Sequence, residues 1–257
     1  MSKYSIDEEK VIDGVRTKFC YKKKLLGMKG NLSSKYEYIG NKIIYTSYFE
    51  NGQISLNEER NLDYQTNGVY KKYERRHPDG IYPSNKNYRE EDVVHYLFEI
   101  CNYKDGIYHG ERKIFSIKSH PTSIGNYYNG EPTGTHLKYC YNCGKPHFKG
   151  TYSDGIPTGE HIHTDCDGSI TEKIIYKDGY NRFDKIIYFE ESNQIKSVEG
   201  FINGYEKQIG NVSGDKQGHC KYYSYNGEII QEGNYDSDKK VGNWVVNEDL
   251  KNNEDED

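Results

Sequence analysis

The chain contains no alanine, and only eight of its 257 residues are leucine. These are the two strongest helix formers, so their scarcity excludes an ordinary helical bundle or α/β domain. Long apolar runs are missing as well, and nothing approaches the roughly 18 residues that a membrane-spanning helix needs. The first ten residues are polar and acidic, which argues against a secretion signal. A net charge of -5, with a pI near 6.0, supplies no global field that would draw in nucleic acid or an anionic membrane. Six cysteines spread over the whole chain are too sparse for a disulfide scaffold, and they favour a reducing compartment with free or metal-bound thiols. The expected setting is therefore cytoplasmic or otherwise intracellular and non-secreted, or a virion if the gene is viral.

The chain is rich in 27 tyrosines and 26 glycines. Leu, Ile, Val and Phe together number 50, just under a fifth of the residues, which alone would lean toward disorder. Tyrosine offsets that deficit. Each ring buries a large apolar body and keeps its hydroxyl wet, so a thin sheet can hold together without a deep aliphatic core. Tyrosine and isoleucine also favour strands, and glycine favours turns.

Two kinds of turn alternate along the chain. One is an aromatic-led turn, as in Tyr48 to Gly52, Tyr139 to Gly144, Thr164 to Gly168 and Tyr222 to Gly227. The other is Gly-x-x-x-Gly, usually just after a Tyr, as in Tyr103 to Gly110, Tyr127 to Gly134 and Tyr152 to Gly159. Gly106, Gly130, Gly155 and Gly179 recur every 24 to 25 residues, and Gly144 and Gly168 fall between them. Strands of about five to seven residues fit between such turns. Alternating segments such as Glu172 to Tyr176 and Lys185 to Phe189 fill them. The reading is an all-β, elongated, single-layer antiparallel β-meander of about nine hairpin repeats over residues 35–246. At about 4.8 Å per strand, roughly twenty strands would span on the order of 90 to 100 Å. Rings on one face are expected to lean over glycines of the neighbouring hairpin. Tyr127, Tyr152, Tyr176, Tyr223 and Tyr235 are the expected stack, with Gly110, Gly134, Gly159, Gly218 and Gly242 as the gaps.

The period breaks in two places. Ile81 to Asp92, with Pro83 and an Arg-Glu-Glu-Asp run, reads as an inserted loop, and between Gly204 and Gly214 the turn order slips. Residues 1–34 show no clear repeat and read as an N-terminal cap. Residues 247–257 are acidic and read as a disordered tail.

The run Tyr222 to Trp244, with its aromatic strand and Asn-Gly turn, resembles the MORN repeat. The nearest form is the variant found in antitoxin-like bacterial proteins and in large-DNA-virus proteins. The resemblance covers residues 35–246. It departs from the usual pattern in keeping a single Trp, at Trp244, and a His-Gly pair mainly at His109-Gly110. It implies a twisted one-layer ribbon that serves as a scaffold without catalysis. Phospholipid binding, ascribed to some members, is opposed here by the acidic balance.

The sharpest chemical signal is metal-like. Cys140-x-x-Cys143-Gly144 is a knuckle-type turn, and His163-x-x-Cys166 follows at a spacing used by two-knuckle zinc sites. Cys140, Cys143, His163 and Cys166 are thus candidate ligands of a structural zinc, with no other cofactor implied. Register stands against it. The second pair is shifted by one residue relative to Gly144 and Gly168, and equivalent strands of adjacent hairpins lie about 10 Å apart. His136, His147, His161 and His163 form a second group that could make a pH-sensitive face. Tyr70 to His77 interleaves rings with Lys and Arg, which would suit single-stranded nucleic acid, although the net charge opposes it.

The repeat consumes nearly the whole chain, so the expected function is a non-enzymatic scaffold that binds another protein. Its contact surfaces are expected at the 81–92 loop and at the end of the ribbon, where an open strand could also recruit a second copy. The alternatives are an antitoxin-like immunity protein wrapping a cognate toxin, a phospholipid- or nucleic-acid-binding module, and an enzyme using the His and Cys cluster. A one-layer sheet offers the last no deep pocket.

Overall fold

The computed structural model describes residues 5–23, 29–78, 89–190, 192–209 and 211–251. Among them, nineteen antiparallel strands follow one another in a single-layer meander, so the all-β reading holds. The chain divides into two compact units, Met1–Gly130 and Glu131–Asp257.

The first unit holds β1 (Ser5–Ile12), β2 (Val15–Lys23), β3 (Lys29–Ile39), β4 (Lys42–Tyr48), β5 (Ile54–Arg60), β6 (Thr66–Arg76), β7 (Val94–Lys104), β8 (Ile107–Phe115) and β9 (Pro121–Tyr128). Each strand pairs with the next. The segment read as an N-terminal cap contributes the first hairpin of the meander, in register from Ser5↔Lys22 to Ile12↔Val15. Its turn, Asp13-Gly14, takes φ of 49° and 80°, the same left-handed pair as Asp105-Gly106 at 51° and 80°. Two residues with positive φ twist in the sense that flanking strands require, which explains why Asp-Gly and Asn-Gly recur on this edge. Of the expected 81–92 loop, residues 81–88 lie outside the described residues, and Glu90–Asp92 forms a short 3-10 turn.

The second unit holds β10 (Glu131–Tyr139), β11 (Pro146–Ser153), β12 (Ile156–Thr164), β13 (Ile170–Asp178), β14 (Arg182–Tyr188), β15 (Ile195–Gln208), β16 (Asn211–Lys216), β17 (Gly218–Tyr223), β18 (Ile229–Asp236) and β19 (Lys239–Val246). Strand β15 pairs with both β16 and β17, which act as one strand interrupted at Gln217. The slipped turn order has its cause here. Gly204 and Gly214 are strand residues under the Phe183 ring: a Cβ would meet Phe183 Cε1 at 2.4 Å from Gly204 and Phe183 Cζ at 3.1 Å from Gly214. Of the expected tail, Glu248–Lys251 forms a helical turn, α1, and residues 252–257 lie outside the described residues.

Strand register sets Gly110 opposite Tyr127, Gly134 opposite Tyr152, Gly159 opposite Tyr176 and Gly218 opposite Tyr235. Tyr223, however, faces Ile229. The expected role of these glycines as gaps for rings is not what the structure shows. A Cβ at Gly134, Gly159, Gly218 or Gly242 would meet open space, while φ there lies between 65° and 81°. Backbone conformation selects glycine at these positions. The rings lie over other glycines. Phe148 and His161 cover Gly150, and Trp244 covers Gly233, within 2.4 to 2.8 Å of where a Cβ would stand. The second unit's core is Ile174, Tyr176, Phe183 and Val212, flanked by Tyr180 and Phe201.

Candidate functional site

Loops on the edge opposite the tight turns share a five-residue frame. In Phe49–Gln53, Ser116–His120, Asp165–Ser169 and Ser224–Glu228 the first N–H donates to the fifth carbonyl at 2.8 to 3.0 Å. The fourth N–H returns to the first carbonyl at 2.9 to 3.2 Å. In three of them the first side chain also accepts backbone N–H groups. Ser116 Oγ takes Lys118 at 3.2 Å, Ser224 Oγ takes Glu228 at 3.2 Å, and Asp165 Oδ1 takes residues 167, 168 and 169 at 2.9 to 3.0 Å. Such side-chain acceptors order a turn without help from the strands.

The loop between β10 and β11 departs from this frame. It spans Cys140–Lys145, one residue longer, with Cys140 N–H donating to Lys145 O at 2.8 Å and Gly144 N–H to Cys140 O at 2.9 Å. Beside Ser224-Tyr225-Asn226-Gly227-Glu228, the run Cys140-Tyr141-Asn142-Cys143-Gly144-Lys145 carries a sulfur in place of the capping hydroxyl and Cys143 as the added residue. The Phe189–Gln194 loop is the other six-residue example among the described residues.

The next loop along that edge, Asp165–Ser169, puts Cys166 at its tip, and Thr164 Oγ1 ties it back to Pro146 O at 3.0 Å. The three thiols converge. Cys166 Sγ lies 3.3 Å from Cys143 Sγ and 3.3 Å from Cys140 Sγ, and all three fall within 4.8 Å of one another. The register objection fails because the thiols sit on loops beyond the strand ends. Pleat alternation does not govern them there, and the longer loop covers the distance between hairpins. Hydrogen bonds from the Cys143 backbone and the Cys166 thiol lower the Cys140 thiol to about 7. Its neighbours Cys140 and Cys143 push Cys166 up to about 12.

His163, expected as the fourth ligand, does not join this cluster. It sits on β12 with its ring centroid 4.9 Å from that of Phe148, and its Nε2 is 3.8 Å from Glu172. Burial, aided by His147, Lys138, His161 and Lys185, lowers it to about 4, so it is neutral at physiological pH. No known family matches this chain, and no curated protein does.

The remaining histidines form packing rather than a site. His136 and His161 are buried in a row of rings, with centroid spacings of 5.1 Å from His136 to Tyr152, 4.9 Å from Tyr152 to His161 and 4.6 Å from His161 to Tyr176. His161 Nε2 lies 2.8 Å from Thr151 O. Burial also lowers His147. In the basic aromatic stretch Tyr70 to His77, carboxylates neutralise much of the charge. Arg75 pairs with Glu90, Arg76 lies 2.9 Å and Lys72 3.5 Å from Glu74, and buried His77 is 3.8 Å from Asp92. An open groove of about 560 Å³ in the second unit has Lys177, Arg182, Asp184 and His219 on its walls, with Lys177 ion-paired to Asp184.

Two features were not read from sequence. One is a set of buried carboxylates, each held by a cation lying on tyrosine: Glu58 with Arg60 over Tyr45, Glu99 with Arg112 over Tyr108, and Glu199 with Lys216 near Tyr222. Their signal was a charge at an inward position of an alternating strand. The other is a row of exposed apolar side chains along the tight-turn edge of the first unit, comprising Ile12, Ile39, Leu62, Ile107 and Tyr128, exposed by 44 to 59%. No helix among the described residues is long and apolar enough to cross a membrane.

Proposed function

We propose that this chain is a non-enzymatic repeat scaffold of the MORN type that binds another protein. The exposed apolar row carries the reading. Five large exposed apolar side chains recur along one edge of that unit, four at strand ends beside the tight turns and Leu62 in the Asn61–Gln65 loop, where hairpin closure does not call for apolar residues. Isolated exposed apolar residues are ordinary on a protein surface, but a row on one edge is the pattern of a contact surface. Strand β19 adds a second docking option. Among the described residues it pairs only with β18, so it offers its outer edge to a second copy or to a partner's strand.

The test is cross-linking and affinity capture of the full chain from its native host, set beside the variant Ile39→Asp/Leu62→Asp/Ile107→Asp. A partner retained by the native chain and lost by the variant, at unchanged circular dichroism, is the expected result. Identical capture by both would overturn the reading. A cognate toxin among the lost partners would narrow it to an antitoxin-like immunity protein.

A further inference from the structure

We propose that Cys140, Cys143 and Cys166 form a three-thiolate zinc centre whose fourth position is open to an exogenous ligand. Three observations carry this. Cys166 comes within 3.3 Å of both Cys140 and Cys143 although it stands 26 and 23 residues from them in sequence and on a separate loop, Asp165–Ser169 against Cys140–Lys145. Each cysteine also departs from its counterparts in the repeat. Cys140 stands where Ser116, Asp165 and Ser224 supply a capping oxygen. Cys143 is the residue that lengthens its loop beyond the five-residue frame, and Cys166 takes the tip position held elsewhere by Glu50, Ile117 and Tyr225. The fold needs none of these three substitutions, since neighbouring loops close without them. Finally, both loops are fixed independently of any ion, the first by its two backbone bonds and the second by Asp165 and the Thr164 bond to Pro146.

The geometry suits a thiophilic ion. Zinc bonds of about 2.3 Å at a tetrahedral angle place sulfurs about 3.8 Å apart, so Cys166 needs to draw back from each of the other two thiols by only about half an ångström, and all three already lie within 4.8 Å of one another. Cys143 and Cys166 are exposed and Cys140 is half-buried, so an ion can enter from solvent and keep one face open. A closed structural site has four protein ligands, whereas a site with three retains a replaceable position. Binding converts three thiols to thiolates and releases their protons, with no change of oxidation state. The centre would clasp the β10–β11 and β12–β13 loops and present a metal to whatever docks on that edge.

The experiment uses the full chain without a histidine tag, kept reduced with a phosphine. Zinc is titrated against a chromogenic chelator, and cobalt serves as the spectroscopic probe. The native chain and His163→Gln should each take one equivalent of zinc. Cys166→Ser and Cys140→Ser should bind at least about 100-fold more weakly, beyond the 10- to 100-fold typical of losing an outer-shell partner. Native circular dichroism of the variants confirms folding, which these solvent-reached side chains do not support. Added small thiol should shift the cobalt absorption by filling the fourth position. Less than a tenth of an equivalent of zinc in the native chain would overturn the proposal, as would loss of binding in His163→Gln to the extent seen in Cys166→Ser. A cobalt spectrum indifferent to added thiol would overturn the open position. Zinc-free protein whose intact mass lacks two hydrogens, even with the phosphine present, would mean that the cysteines serve as a disulfide instead.

Discussion

At the scale of single residues, glycine does two distinct jobs that composition alone merges. Gly159 has φ of 65° with open space around it, so a side chain there strains the backbone but touches nothing. Gly233 has ordinary backbone, and a Cβ there would stand 2.4 Å from Trp244 Cδ2. The chain's one tryptophan makes the difference measurable. Gly233→Ala must displace the indole, so its emission should change and stability should fall by about 1 to 3 kcal/mol. Gly159→Ala should cost about 1 kcal/mol from the left-handed φ and leave the emission untouched. Urea titration followed by fluorescence reads both, and equal spectral effects would contradict this division. Recurrence of Tyr and Gly was legible in the sequence, but which ring lies over which glycine was not. That depends on side-chain direction across strands, which spacing does not encode.

At the scale of strands, a single layer has one protected face, and that face is partly built from ions. Glu99 on β7 is 6% exposed and accepts from Arg112 Nε on β8 at 2.6 Å, with the guanidinium 5.0 Å from the Tyr108 ring centroid. Removing one member leaves the other charge buried. Arg112→Met should therefore destabilise by about 3 kcal/mol, whereas Glu99→Met/Arg112→Met should recover most of that loss. Chemical denaturation of both variants checks this, and a double variant no more stable than the single one would rule out the buried charge as the cause. The same scale explains why the cysteine site was only half readable. The Cys-x-x-Cys-Gly turn and the later Cys166 are visible as spacing. Exclusion of His163 is not, because His163 stays within β12 and packs on Phe148, whereas Cys166 lies on the loop beyond the strand end.

At the scale of the whole molecule, stability should respond to acid through histidines held neutral. His163 titrates at about 4 when folded and near 6.5 when unfolded, because burial opposes its charge. As pH falls through 6.5 the unfolded chain takes up a proton that the folded chain refuses. Stability from this group is complete above 6.5 and declines toward 4, by up to about 1 kcal/mol per pH unit. His147, also lowered by burial, adds to the same slope. Thermal melts between pH 7 and 4.5 should show a smaller decline in His163→Gln than in the native chain, and parallel curves would refute the assignment. The sequence by itself determined the class: without alanine and with little leucine, tyrosine and glycine at a fixed period can close hairpins but cannot fill a helical core. Tertiary structure decided what that period could not carry. It showed that the first hairpin starts at Ser5, that β15 feeds two short strands, and that three thiols from separate loops meet while a nearby histidine does not. The physical reason is that turn chemistry is local and written in consecutive residues, whereas convergence of side chains from different loops depends on how far each loop reaches once its strands are paired.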